Sequence, residues 1–315
     1  MTYVLLLPGQ GSQKVGMGKD LYAAFPAARE AFQAVDEAVG APLSALAFDG
    51  PADELTRTVN AQPALLAHSA AVWAVVRPAI GAQVVAAAGH SLGEFSAYHL
   101  AGALDVAAAA RIVRRRGTLM YEQGMARPGA MAAVLGVLTT SIDDICAQAS
   151  AERGMVVPAN YNSDEQVVIS GEVAAVERAM ELAKDAGAKR CLPLPVSGAF
   201  HSPLMEPAVA GLADALAAET WQHPAIPVIA NVNAAAVTSA TEAVALLLQQ
   251  LTAPVQWTRV SRLLVAQYPE ATFVEIGSGA VLTGLLRRLA PSVKTMTCGT
   301  VAEVEKLLDS TGASA

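Results

Sequence analysis

The stretch "GHSLGEFSA" at residues 89–97 sets a serine, Ser91, between Gly89 and Gly93, directly after the apolar run "QVVAAA". A serine with a glycine two positions to either side, where strand-like residues give way to helix formers, is the pattern of a nucleophile elbow. There the hydroxyl sits at a helix N-terminus, and the N–H of the next residue, Leu92, is placed to stabilise a developing oxyanion. The five-residue pattern also arises by chance in long glycine-containing chains. Its place after a strand and before a helix favours the chemical reading.

A serine nucleophile needs a base within hydrogen-bond reach. The histidines are His68, His90, His99, His201 and His223. His68 lies in a helix well before the elbow, His90 adjoins Ser91 with its side chain turned away, and His99 is over two helical turns further on. His201, in the loop "SGAFHSP", and His223, in "WQHPAI", remain. Loops on a rigid scaffold carry catalytic groups disproportionately, which favours His201. No histidine follows His223, so the serine, acid, C-terminal histidine order of lipase-like esterases is missing. A backbone or amide carbonyl can orient a histidine in place of the acid.

On the helical stretch 105–124, Val106, Ala109, Ile112, Val113, Leu119 and Met120 form one apolar stripe with Arg116 at its centre. Arg111 and Arg114 fall on the opposite side and Arg115 on a flank, the solvated places for a basic run. A buried charge without a partner costs about 3–5 kcal/mol, so Arg116 needs an anion. A structural carboxylate and a carboxylate-bearing substrate both meet that need; next to an acyl-transfer serine the substrate fits better. The turn "GQGSQKVGMG" at 9–18 fails as a nucleotide loop, having Lys14 where a dinucleotide fingerprint needs glycine and Met17 where a P-loop needs lysine. Two readings stay open for it: backbone N–H groups aimed at an anion, or a tight turn that starts a helix.

These groups need a framework, and the chain supplies one. Its 315 residues, 53% hydrophobic, suffice for a large core. Three scattered cysteines suggest neither disulfides nor a zinc site and fit a reducing cytoplasm. The net charge of −7 disfavours nucleic acid, and no run of eighteen uninterrupted apolar residues or basic signal region suggests a membrane or export. Strands are expected at 3–8, 83–89, 226–231, 272–277 and 293–297, and helices at 19–39, 62–76, 92–101, 105–124, 203–218, 241–252, 258–267 and 279–289. That alternation predicts an α/β layer with a parallel sheet. Between 127 and 197 the order changes to strand 130–137, helix 141–152, strands 155–161 and 166–171, helix 172–186 and strand 189–196. This β-α-β-β-α-β order is ferredoxin-like. The expected division is a large unit, 1–126 with 198–315, interrupted by a small one, 127–197; "STGASA" at the C-terminus reads as a frayed tail.

Nine ordered blocks now converge: "LLPGQGSQKVGMG", "AQPAL", "GHSLGEFSA", "RRRG", "GAMAAVLG", "ANYNSDEQVVISG", "GAFHSPLM", "APVQW" and "EIGSGAVLTGL". Together, over residues 3 to about 290, they resemble the malonyl-CoA:acyl carrier protein transacylase family of type II fatty-acid synthesis. The resemblance implies an α/β-hydrolase-like large subdomain and a ferredoxin-like small one, with the site in the cleft between them. It implies Ser91 as nucleophile, His201 as general base, and the backbone carbonyl of Gln250 as the group orienting that base. It further implies Arg116 as the holder of the malonyl carboxylate and the N–H groups of Gln10 and Leu92 as the oxyanion hole. "GAFH" resembles the form found in malonyl-selecting polyketide acyltransferases, so Phe200 would crowd a 2-methyl group. Departures are Ala61, Ala253 and Ser278, the last where proline is common; Asn160 and Asn162 carry no assigned role. The implied partners are malonyl-CoA and holo acyl carrier protein, with no metal or tightly held cofactor, in a cytoplasmic monomer. The loading subunit of malonate decarboxylase, a free-standing polyketide acyltransferase and a serine thioesterase or hydrolase are the alternatives.

Overall fold

A computed structural model describes residues 1–196 and 198–312. Ten strands form two sheets: β1 (Tyr3–Leu7), β2 (Val84–Gly89), β3 (Ala130–Leu135), β4 (Val156–Ser163), β5 (Gln166–Gly171), β6 (Arg190–Pro193), β7 (Val228–Ile229), β8 (Ala236–Val237), β9 (Thr272–Ile276) and β10 (Lys294–Cys298). The first sheet has the order β10-β9-β1-β2-β7-β8 and is parallel except for the short edge strand β8. Its central strand reads "YVLLL" and is buried throughout, as a parallel strand covered by helices on both faces must be. Strand order reverses at β1, with β9 on one side and β2 on the other. Leu7 lies opposite Gly89, so the turn after β1 and the turn after β2 emerge side by side at the carboxyl ends of the strands. Ligands of open parallel sheets bind at such a switch point.

The second sheet is antiparallel, in the order β4-β5-β3-β6, with helices Ile142–Arg153 and Val173–Asp185 packed over it. This is the ferredoxin-like arrangement expected from the element order. Edge strand β4 is tied to the large layer: Tyr161 N donates to Val255 O at 2.9 Å and Val255 N to Ala159 O at 2.8 Å. The chain is therefore a mixed α/β protein with two sheets that meet along one seam.

Several elements depart from expectation. The helix foreseen over 19–39 is two, Lys19–Ala24 and Pro26–Val39, because Pro26 lacks an N–H and starts the second. The stretch 203–218 opens as a 3₁₀ turn, Pro203–Ala208, before helix Val209–Ala217. Short helices Leu43–Asp49 and Ala52–Thr56 and strand β8 were not foreseen. The C-terminal region holds helix Val301–Thr311, capped by the Thr300 side chain and ended by Gly312, so Ser310 and Thr311 are helical rather than frayed. The rest of that tail, 313–315, and residue 197 at the end of the expected small unit lie outside the described residues. Thr58–Gln83 is long and apolar enough to cross a bilayer, but 67% of its most apolar window is buried inside the fold.

Candidate active site

The elbow follows from the two glycines. A Cβ on Gly89 would lie 1.9 Å from the Gly93 carbonyl, and one on Gly93 would lie 2.1 Å from Leu7 O, so neither position admits a side chain. Between them Ser91 adopts φ 53°, ψ −108°, a conformation disfavoured for a residue with a Cβ. The turn is held from outside: Ser91 N donates to Asn231 Oδ1 at 2.7 Å, Asn231 Nδ2 to Gly89 O at 2.7 Å, and His90 N to Leu7 O at 3.0 Å. Helix Leu92–Leu100 begins immediately, and its first N–H groups, Leu92 among them, have no acceptor within the helix. The turn after β1 lies against the elbow so closely that a Cβ on Gly9 would be 2.4 Å from His90 O.

His201 is 4% exposed, and its Nε2 stands 2.7 Å from Ser91 Oγ. Its Nδ1 is 2.9 Å from Gln250 O, at the end of helix Ala240–Gln250. A carbonyl only accepts, so Nδ1 carries the proton and the Nε2 lone pair faces the serine hydroxyl. Burial, reinforced by the charge of Arg116, holds the imidazole down to about 3, so it is neutral and basic-form at neutral pH. A hydroxyl donating to a neutral, oriented imidazole is the arrangement that activates a serine. His223 is elsewhere, accepting from Ala240 N at 3.3 Å, so of the two loop histidines it is His201 that lies against Ser91. His90 points the other way, to Asn162 Oδ1 at 2.8 Å, and packs against Trp257.

Arg116 is 1% exposed, inside helix Val106–Ala126, whose start is capped by Asp105. Its Nη1 donates to Gln62 Oε1 at 2.8 Å and its Nη2 to Gln250 Oε1 at 3.0 Å and Ser91 Oγ at 3.2 Å; Nε has no partner. Its guanidinium also lies 5.4 Å from the centre of the Phe95 ring. All its acceptors are neutral, and among the described residues no carboxylate pairs with it. Burial lowers its pKa to about 10, so it stays charged at neutral pH. Arg116 therefore makes no direct ion pair among the described residues; the Glu94 carboxylate acts on it only at a distance. Arg111 pairs with Glu219 at the surface as expected of a solvated cation. Arg114 departs from expectation: it is half-buried and donates to Val59 O and Asn60 Oδ1, because the helix packs against the start of Thr58–Ile80 on that side as well.

These groups open onto a cavity of about 230 Å³ between the two sheets. Gln10, Ser91, Leu92, Arg116 and His201 line it from the large layer, and Met131, Asn160 and the segment 194–196 from the small one. Phe200 lines it beside His201 and is buried. In the turn after β1, Gly11 N donates to Gln13 Oε1 and Ser12 N to Gly9 O. The Gln10 side chain accepts from Thr58 Oγ1 at 2.7 Å, Thr58 accepts from Gln62 Nε2 at 2.9 Å, and so the turn is joined to Arg116. Among the described residues no cluster of three or more His, Cys, Asp or Glu side chains could hold a metal.

Three residues absent from the sequence reading of the site belong to its hydrogen-bond network, and Asn162, named there without a role, joins them. Gln62, Asn231 and Glu94 are fully buried polar side chains in its hydrogen-bond network, and Asn162 fixes the His90 ring. Glu94 did leave a signal: it is the one acid in the helix "LGEFSAYHL".

A strained serine at a strand-to-helix turn, a carbonyl-oriented histidine and a buried arginine with no carboxylate in direct contact lie together on one cavity, an arrangement suited to acyl transfer. The family model of the acyl transferase domain matches residues 2–306. The malonyl CoA-acyl carrier protein transacylase of Bacillus subtilis is 45% identical over 92% of this chain and 91% of its own. The acyl-carrier-protein S-malonyltransferase of Bartonella henselae superposes with a TM-score of 0.93 at 43% identity, covering 99% of this chain and 100% of that one. A malonyl-transacylase in complex with its type II PKS acyl-carrier protein superposes equally well, at 0.93 and 40% identity over 98% of this chain and 100% of that one. The chain belongs to the acyl transferase domain family and, within it, to the malonyl CoA-acyl carrier protein transacylases.

Proposed function

We propose that the protein moves a malonyl group from malonyl-CoA to the phosphopantetheine thiol of acyl carrier protein, through an ester on Ser91, and so supplies fatty-acid biosynthesis. The observation that carries this is the buried Arg116 guanidinium, which touches Ser91 Oγ and has no carboxylate in direct contact with it among the described residues. A malonyl carboxylate in a fork with that guanidinium places its thioester carbon at the serine. His201 takes the Ser91 proton as Oγ attacks, the N–H groups of Gln10 and Leu92 hold the oxyanion, and coenzyme A departs with the proton. In the second half the carrier thiol gives its proton to His201 and attacks the ester, and His201 returns that proton to Ser91 Oγ as the C–O bond breaks. Gln250 O keeps the imidazole in the required tautomer throughout. Phe200 crowds a 2-methyl substituent, which favours malonyl over methylmalonyl. No cofactor or metal takes part, and the enzyme works as a cytoplasmic monomer of two units, 127–197 set into the remainder.

Intact-protein mass spectrometry tests the reading. Incubation with malonyl-CoA should add one malonyl group on Ser91 that persists in buffer and disappears when holo acyl carrier protein is added. Steady release of malonate without carrier would make the protein a hydrolase. Transfer to a polyketide carrier but not to a fatty-acid carrier would move it to the other pathway.

A further inference from the structure

Glu94 is fully buried one turn into the helix that starts at the elbow, and it touches neither the cavity nor Ser91 Oγ. Its Oε2 accepts from Gln250 Nε2 at 2.7 Å and from Asn231 N at 3.1 Å, while its Oε1 has no partner. The Gln250 amide is therefore shared: Nε2 donates to Glu94 and to Ser91 O, and Oε1 accepts from Arg116. One neutral amide separates a buried anion from a buried cation. If the direct ion pair formed, Arg116 would be neutralised in place; the amide keeps the two charges apart and leaves the guanidinium open to a substrate.

This inference rests on the reading that a malonyl carboxylate binds Arg116. A second anion brought to one guanidinium in a low-dielectric site repels the first. We propose that Glu94 is a specificity-determining positioning residue, the counter-charge of Arg116 in the free enzyme, which takes up a solvent proton when a substrate carboxylate arrives at the guanidinium. The balance is simple: one carboxylate becomes one carboxylic acid, the proton comes from the buffer, and no covalent bond to carbon changes.

The charged and titratable groups around Glu94 are few. Arg116 faces it from helix Val106–Ala126 and lowers its pKa, and Tyr98, one turn along its own helix, is raised by burial and by the Glu94 charge. Gln250 and Asn231 are neutral, His201 reaches the same Gln250 only through its backbone carbonyl, and Glu242 acts on Tyr98. The Tyr98 hydroxyl, on the same helix, is also buried without a hydrogen-bond partner. Burial holds Glu94 well above the usual carboxylate range, at about 7, where a new neighbouring anion changes its protonation.

The test separates this inference from the one beneath it. Malonyl-CoA and acetyl-CoA are titrated into a Ser91→Ala protein by calorimetry at about pH 7.5, in two buffers of different ionisation heat. Malonyl-CoA should bind more tightly and take up a fraction of a proton, acetyl-CoA none. Adding Glu94→Gln, which keeps an oxygen for both N–H donors, should abolish the uptake while preference for malonyl-CoA persists. Equal binding of the two thioesters overturns the Arg116 reading. Preference without uptake, or uptake unchanged by Glu94→Gln, overturns the role of Glu94 alone. Should the double variant fail to fold, an infrared difference spectrum of malonyl-loaded minus free wild type decides: a new buried carboxylic-acid carbonyl band, absent with acetyl, is expected, and its absence refutes the proposal. In turnover, malonyl-over-acetyl selectivity should fall by up to about tenfold as pH rises through neutrality, and stay flat in Glu94→Gln.

Discussion

The two walls of the cavity are built to different tolerances. On the elbow wall, Gly89 and Gly93 admit no Cβ, Ser91 is held at positive φ, and Ser91 N and Gly89 O are both bonded to the buried Asn231 side chain. On the facing wall, residues 194–196 are half-buried or exposed, and the segment is held by Leu194 N to Met131 O at 2.9 Å and Val196 N to Leu194 O at 2.8 Å. Reacting atoms must be fixed to a fraction of an ångström, and the first wall carries them. The second wall shapes entry, where small displacements cost little.

The largest expected effect lies on the first wall. Ser91→Ala should abolish the malonyl adduct and cut turnover by about 10⁶-fold with the fold intact, as judged by mass spectrometry and circular dichroism. Gly93→Ala should cost more than about 4 kcal/mol in urea unfolding, because its methyl would meet the Leu7 carbonyl; a loss below about 1 kcal/mol would break the contrast between the walls. Arg116→Ala should lower malonyl transfer by about 100-fold or more and acetyl transfer far less, and equal losses would remove the arginine from substrate recognition. At the small end, Val196→Ala should change stability by less than about 1 kcal/mol and alter KM for malonyl-CoA with kcat nearly unchanged.

Acid stability sharpens the comparison, because the rigid wall is also the one that excludes water. Burial lowers the pKa of His68 to about 4 and of His201 to about 3, and lowers His90 and His99 as well. A histidine with a depressed folded pKa contributes stability that is complete above about pH 6.5 and is lost as pH falls toward the folded value. Glu94, raised by burial to about 7, holds a proton in the native state between about pH 4.5 and 7 and pulls the other way, and burial raises Glu275 in the same direction. With His68 and His201 strongly lowered against Glu94 strongly raised, unfolding free energy should fall between about pH 6.5 and 4.5. Urea melts that stay flat over this interval would show that the histidine cost is balanced.

Much of the site was legible because its chemistry imposes local patterns. The glycine spacing around Ser91 announced the elbow, and helical phase put Arg116 inside. The ferredoxin-like strand order could be read from element order alone. Gln62 and Asn231 could not be found this way, since a buried amide has no spacing rule and its partners lie far off in sequence: Gln62 meets Arg116 across 54 residues, and Asn231 meets Ser91 across 140. Ser278 looked like a mere departure from proline, yet its hydroxyl donates to Ser12 O at 2.7 Å and pins the turn after β1. The helices at 43–49 and 52–56 hid among Pro42, Gly50 and Pro51, which read as loop punctuation. Helix Val301–Thr311 did carry its signal, Thr300 followed three residues later by Glu303, in an amphipathic run.

The four-stranded sheet leaves the main layer after helix Val106–Ala126 and the chain rejoins it just before His201, reaching the reaction chamber through Met131, Asn160 and the 194–196 segment. Heritable variation can therefore fall on two separate ledgers. Changes confined to residues 130–196 reshape the opposite wall without displacing Ser91 or His201, whereas Arg116 and Phe200 belong to the unit that carries the elbow. The depth and rim of the chamber are thus set by a stretch of chain separate from the one that holds the elbow.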